Sequence, residues 1–156
     1  MTHGLHFRRA VASDFDAVLA LAVQLADHID APRPPLTVGQ FDTWYLRAGT
    51  PMHLLLAVNQ NRVVGMISWT LTHELYSAQA RVYISDLAID APARGEGVGR
   101  ALMNEVIAWA GAHGADKLAW DVWRHNITAK AFYATLGGHI DDDAQPHVLA
   151  LRDAAT

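Results

Sequence analysis

The 156-residue chain contains no cysteine. That excludes disulfides, zinc–thiolate sites and a cysteine nucleophile, and it permits a reducing compartment. Neither sign of charge dominates: 12 Lys+Arg stand against 16 Asp+Glu, a formal net charge of -4. A domain that coats nucleic acid is normally basic, so no nucleic-acid partner is expected. An anionic ligand must therefore be held by local geometry rather than by overall charge. No apolar run reaches the ~18–20 residues needed to span a bilayer. The opening stretch, Met1-Thr2-His3-Gly4-Leu5-His6, lacks an apolar signal-peptide core. The expectation is a cytoplasmic protein without a membrane partner. The 9 histidines form no zinc-ligand spacing, so no metal is expected either.

What is present is enough apolar matter for a core, 51% of the residues. The length suits one compact domain, 1–156, without repeats or an interdomain linker. Leu5 to Arg9 reads as a strand and Ser13 as the cap of a helix carrying Phe15, Val18, Leu19, Ala22, Val23 and Leu25. Ala31-Pro32-Arg33-Pro34-Pro35 stops that helix. Thr37-x-x-Gln40 has the form of a capping box opening a second helix, which carries Phe41, Trp44 and Tyr45. Strands are predicted over His53 to Val58, Arg62 to Thr70 and Val82 to Ile89, with Asn59-Gln60-Asn61 as a turn and His73 to Ala80 as a polar connection. A long helix follows from about Val98 to His113, then a strand from Leu118 to Trp123 and a helix from Ile127 to Leu136 stopped by Gly137-Gly138. His147 to Leu151 is a candidate last strand. The order β-α-α-β-β-β-α-β-α-β points to an α/β protein of the α+β type, a mixed sheet flanked by helices.

The most informative segment is Leu87-Ala88-Ile89-Asp90-Ala91-Pro92-Ala93-Arg94-Gly95-Glu96-Gly97-Val98-Gly99-Arg100. A strand enters a glycine-rich turn that opens a helix. The first amides of a helix have no internal acceptor and lie at its positive end. Glycines let a bulky anion approach them, which makes a cradle. Arg94 and Arg100 can add charge-assisted contacts. The spacing is neither that of a P-loop, which needs Gly-Lys-Ser/Thr, nor the Gly-x-Gly-x-x-Gly of a dinucleotide fold. Taken alone, the loop is also compatible with a tight connection that binds nothing.

Two elements together resemble the GNAT superfamily of acyl-CoA-dependent acetyltransferases. Arg94-x-x-Gly97-x-Gly99 matches the family's Arg/Gln-x-x-Gly-x-Gly/Ala loop between its fourth strand and third helix. Downstream, Asn126 precedes Ala129-Lys130-Ala131-Phe132-Tyr133-Ala134-Thr135-Leu136-Gly137-Gly138, similar to the family's Asn followed by a helix ending in Phe-Tyr-x-x-Leu-Gly. Nearest in motif is the diamine and thialysine branch, through Tyr83-Ile84-Ser85-Asp86-Leu87-Ala88-Ile89 and His125-Asn126. Those enzymes usually carry Glu where this chain has Ser85, and a serine cannot activate an amine as a carboxylate would.

The resemblance implies a GNAT fold, a mostly antiparallel sheet splayed at the acetyl-CoA site. It implies that the backbone of Leu87, Ala88 and Ile89 pairs with the pantetheine arm. Arg94, Gly95, Glu96, Gly97, Val98, Gly99 and Arg100 would hold the pyrophosphate. Asn126, Phe132 and Tyr133 would line the cofactor's reactive end. Tyr133 is the candidate acid for the departing thiolate, although Tyr133 with Phe132 also reads as an aromatic core pair. Asp86 is the candidate base, and equally a structural carboxylate. For the acceptor, Asp27, His28, Asp30, Trp44, Tyr45, His73, Glu74 and Tyr76 suit a cationic amine. The expected activity is acetyl transfer from acetyl-CoA to the primary amine of a small molecule, by direct attack in a ternary complex. A protein N-terminal or lysine acetyltransferase and a non-catalytic acyl-CoA sensor are the alternatives. Homodimerisation is common in the family and is expected here.

Overall fold

The computed structural model describes residues 4–151. By packing, the chain falls into two compact units, Met1–Trp123 and Arg124–Thr156. The first holds a five-stranded sheet in the order β1-β2-β3-β4-β5, with β1 Leu5–Arg9, β2 Met52–Asn59, β3 Arg62–Glu74, β4 Gln79–Ile89 and β5 Lys117–Trp120. The first three pairings are antiparallel and the last is parallel. Three helices accompany it: α1 Phe15–His28, α2 Val38–Phe41 and α3 Val98–Ala112. This is the α+β architecture that the element order implies.

Adjacent residues on a strand face opposite sides. Met66 packs with Val18 and Leu21 of α1, Phe41 of α2, and Leu54, Leu56 and Val58 of β2. Its neighbour Gly65 faces Val98 and Leu102 of α3. Helices α1 and α2 therefore cover one face and α3 the other. On α3 the buried residues Val98, Leu102, Met103, Val106 and Ala110 recur at helical spacing.

Local chemistry explains where the elements begin. Asp14, not Ser13, organises the start of α1. Its carboxylate accepts from the Val11 amide at 2.8 Å and takes both guanidinium nitrogens of Arg8 at 2.7 and 2.8 Å, tying the helix to β1. The Thr37/Gln40 capping box forms as expected, and the chain after α2 widens into a π turn over Asp42–Leu46. Gln60 and Asn61 both adopt positive φ, the geometry of a tight hairpin turn. The expected polar connection His73 to Ala80 is half strand: the ladder runs on to Glu74↔Gln79, and only Leu75 to Ala78 turn. Glu74 braces that end with Arg81 at 3.6 Å and Lys117 at 3.7 Å.

The second unit contains α4, Ile127–Ala134. It ends as the glycine pair demands: Gly137 has φ 87, and the Gly138 amide bonds back to the Tyr133 carbonyl at 3.0 Å. The expected strand at His147 to Leu151 does not form over those residues, where Val148, Leu149 and Leu151 are exposed. Among the described residues no helix is long and apolar enough to cross a membrane.

Candidate active site

Strands β4 and β5 pair only from Arg81↔Lys117 to Ile84↔Trp120. Beyond that point β4 continues through Ser85–Ile89, bonded among the described residues to β3 alone. The sheet is thus split on one side, and the Leu87, Ala88 and Ile89 backbone lies along the split. The ladder with β3 also slips there: Trp69 pairs with Ile84 and Ser68 with Asp86, so Ser85 is the unpaired residue of a bulge. Ser85 is exposed. The bulge puts Asp86 opposite Ser68, on the α1/α2 face.

The turn after β4 leads into α3. Gly95 and Gly97 have φ 80 and 85, and a Cβ built at either would meet nothing within 4 Å. Open space and left-handed backbone together are what a close-approaching anion requires. Gly97 is the N-cap of α3 and offers no side chain to cap it, so the amides of the first turn remain directed at the same space. Arg94 is anchored by its Nε, which donates to the Ile89 carbonyl at 3.1 Å. Arg94, Gly95, Glu96, Gly97 and Arg100 are exposed, Gly99 is half-buried and Val98 is buried. The residues fit a pyrophosphate.

Sequence reasoning missed what holds this turn in place. Asp90, 7% exposed, closes β4 and accepts from Gln24 Nε2 of α1 at 2.9 Å and from Arg62 of β3. Gln24 also accepts from the Ala91 amide at 3.0 Å. Gly65 lies under the start of α3, with its virtual Cβ 3.0 Å from Ile89 and 3.2 Å from both Val98 and Leu102. Only a glycine lets the helix carrying the cradle sit this close to the sheet.

On the acceptor side, Ser68 Oγ donates to Asp86 Oδ2 at 2.7 Å. Tyr45, from the π turn, lies beside both; burial first, then the Asp86 charge, raises its pKa. Tyr83 donates to Asp121, and that bond, with burial, pushes its phenol up to about 12. The expected acceptor residues do not all gather here. His73, Glu74 and Tyr76 belong to the far end of the β3–β4 hairpin; at the usual rise per residue, Glu74 is about 20 Å along β3 from Ser68. Ser68 was detectable as the one hydroxyl within the apolar run Val63 to Trp69.

In the second unit, Asn126 is the N-cap of α4, its Oδ1 accepting from the Ala129 amide at 3.0 Å. It therefore stands at the start of that helix. Phe132 and Tyr133 are half-buried and meet edge to face, ring centroids 5.1 Å apart. Burial pushes the Tyr133 phenol up to about 12.

The sheet, split beside a glycine-lined helix start, is the α+β scaffold of an acetyltransferase. The comparisons with known proteins agree: residues 19–137 match the model of the Acetyltransferase (GNAT) family, and the chain belongs to that family. Among solved structures, a tetramutant of the BH1408 protein of Bacillus halodurans is 28% identical, with 94% of this chain and 99% of that one covered and a TM-score of 0.79. An acetyltransferase of Trypanosoma brucei is 23% identical, covering 93% of this chain and 99% of its own, at a TM-score of 0.73. An aminoglycoside acetyltransferase from an uncultured soil metagenomic sample, in complex with sisomicin, is 15% identical over 99% of this chain and 98% of its own, at a TM-score of 0.73. Among curated proteins no match was found.

Proposed function

We propose that the protein transfers the acetyl group of acetyl-CoA to the primary amine of a small molecule, an amine or amino acid, by direct attack in a ternary complex. One observation carries the reading: the split edge of β4 and the open glycine turn are consecutive in the chain, and a carboxylate stands at the bulge where the split begins. Leu87 to Ile89 would hold the thioester arm, Gly95 to Gly99 would hold its diphosphate, and Asp86 would serve the acyl end. The motif likeness of Tyr83 to Ile89 and of His125-Asn126 to the diamine branch supports an amine acceptor.

Bound acetyl-CoA supplies an activated acyl carbon. The chain's own residues do the rest. An alkylammonium with a pKa of about 10 must lose a proton before it can attack. Asp86 takes that role, holding the ammonium and passing its proton to water. The amides along the split face the developing oxyanion. Tyr133, kept protonated by burial, donates to the departing thiolate. Asn126 keeps its amide nitrogen available while its oxygen caps α4. A cytoplasmic homodimer is the assembly we propose for it.

The test is thiol release from acetyl-CoA against panels of amines, amino acids and peptides. Turnover on small amines supports the reading. Turnover confined to peptides would transfer it to proteins, and saturable acetyl-CoA binding without turnover on any panel would leave an acyl-CoA sensor.

A further inference from the structure

We propose that Ser68 is a positioning residue for the acceptor amine: it fixes the Asp86 carboxylate so that only Oδ1 faces the incoming nitrogen. This rests on the acetyltransfer reading above and adds to it a residue that no motif contains.

The residues Val64 to Trp69 of β3 are all buried, and Ser68, at 1% exposed, is the only one with a hydroxyl. A buried hydroxyl is costly unless it is hydrogen-bonded, so a position that merely packs favours an apolar side chain. Ser68 spends its single proton on Asp86 Oδ2 at 2.7 Å. Tyr45 stands beside this pair, close enough for the Asp86 charge to raise its pKa after burial and for the Ser68 hydroxyl to lower it. Among the described residues Asp86 Oδ1 has no hydrogen-bond partner.

Each member comes from a feature built for a local purpose. The bulge at Ser85 brings Asp86 into register with Ser68. The π turn Asp42–Leu46 carries Tyr45, and such turns are often found at functional sites. The other titratable group whose field overlaps that of Asp86 is Tyr83, itself bonded to Asp121 and facing Arg81. In the proposed step the ammonium N–H bond breaks, its proton goes to Oδ1 and then to water, and the freed lone pair attacks the acyl carbon. Ser68 neither gains nor loses a proton; it keeps Oδ2 occupied and the carboxylate plane fixed.

The experiment is a double-mutant cycle on the full chain with Ser68→Ala and Asp86→Asn, read in kcat and in KM for the best amine, alongside acetyl-CoA affinity and melting temperature. Ser68→Ala is expected to lower kcat roughly 100-fold, the scale of a misplaced reacting group, with acetyl-CoA affinity unchanged. It should cost nothing further in the Asp86→Asn background, and Ser68→Thr should recover most of the loss. Additive losses, or an undiminished kcat in Ser68→Ala, overturn the positioning role and leave the acetyltransfer reading standing. A wild-type chain without amine-dependent thiol release overturns both.

Discussion

Tyr133 and Gly97 bear on separate halves of the chemistry, and single substitutions can tell them apart. Burial pushes the Tyr133 phenol up to about 12, so near neutral pH it holds a proton it can donate. Tyr133→Phe keeps the ring against Phe132 and removes that proton. We expect kcat to fall about 10²-fold or more, the usual worth of a positioned acid, with acetyl-CoA affinity unchanged by calorimetry. Gly97→Asp does the reverse. It forces a side chain and a negative charge into the open space of the turn at φ 85. Acetyl-CoA affinity should drop at least tenfold, about 1.4 kcal/mol; unaltered binding would remove the cradle from the model. Both residues were legible in the sequence because each sits in a contiguous motif. Ser68 stood out only as the one hydroxyl of an apolar run and Tyr45 only as an acceptor candidate; their partners, like those of Gln24, come from strands and helices distant in the chain.

The junction of β4 with α3 depends on close packing beneath it as much as on the glycines within it. With a Cβ at Gly65 meeting Ile89 at 3.0 Å and Val98 and Leu102 at 3.2 Å, Gly65→Ala must push α3 off the sheet or distort its first turn. Overpacking of this kind costs about 1–3 kcal/mol. A lowered melting temperature together with weaker acetyl-CoA binding is the expected outcome. A melting loss with binding intact would separate the helix position from the cradle. The periodicities predicted α3 and the strands well because buried faces impose them. They misjudged Ser13 as the cap of α1, because the Arg8–Asp14 pair reaches back to β1. They also shortened the β3–β4 hairpin, whose polar end is held by the Glu74 ion pairs rather than by burial.

At the level of the whole molecule, stability should depend on pH in two separate windows. The Arg9 guanidinium donates to His53 Nδ1 at 2.6 Å, which requires that nitrogen to be unprotonated. Burial first, then Arg9 and His113, lower the His53 pKa from its ordinary 6.5. His53 stacks on Trp69, which packs against Trp109 and so ties β1, β2, β3 and α3 together. The folded state therefore disfavours the imidazolium. The His53 contribution is complete above its unfolded value of 6.5 and is lost as pH falls through the lower folded value. Arg8 lowers the Asp14 pKa from 3.8, so that contribution persists above 3.8 and is lost only in stronger acid. Denaturant titrations across this range should show both declines. His53→Gln should flatten the upper one and leave the lower one in place.

The sequence by itself determined the family-bearing segments: the Arg94 to Gly99 loop, the Asn126 to Gly138 helix and the alternation that builds the strands. These are local, because a helix start, a glycine conformation and a buried face each depend on a few neighbouring residues. The tertiary structure decided where β4 loses its partner and that Ser85 is left unpaired in a bulge. It also decided that Ser68 and Asp86 meet across two strands, and that Asp90 is held by Gln24 and Arg62. Register and helix placement set these contacts. Both are settled by which faces pack together, and no run of adjacent residues encodes that.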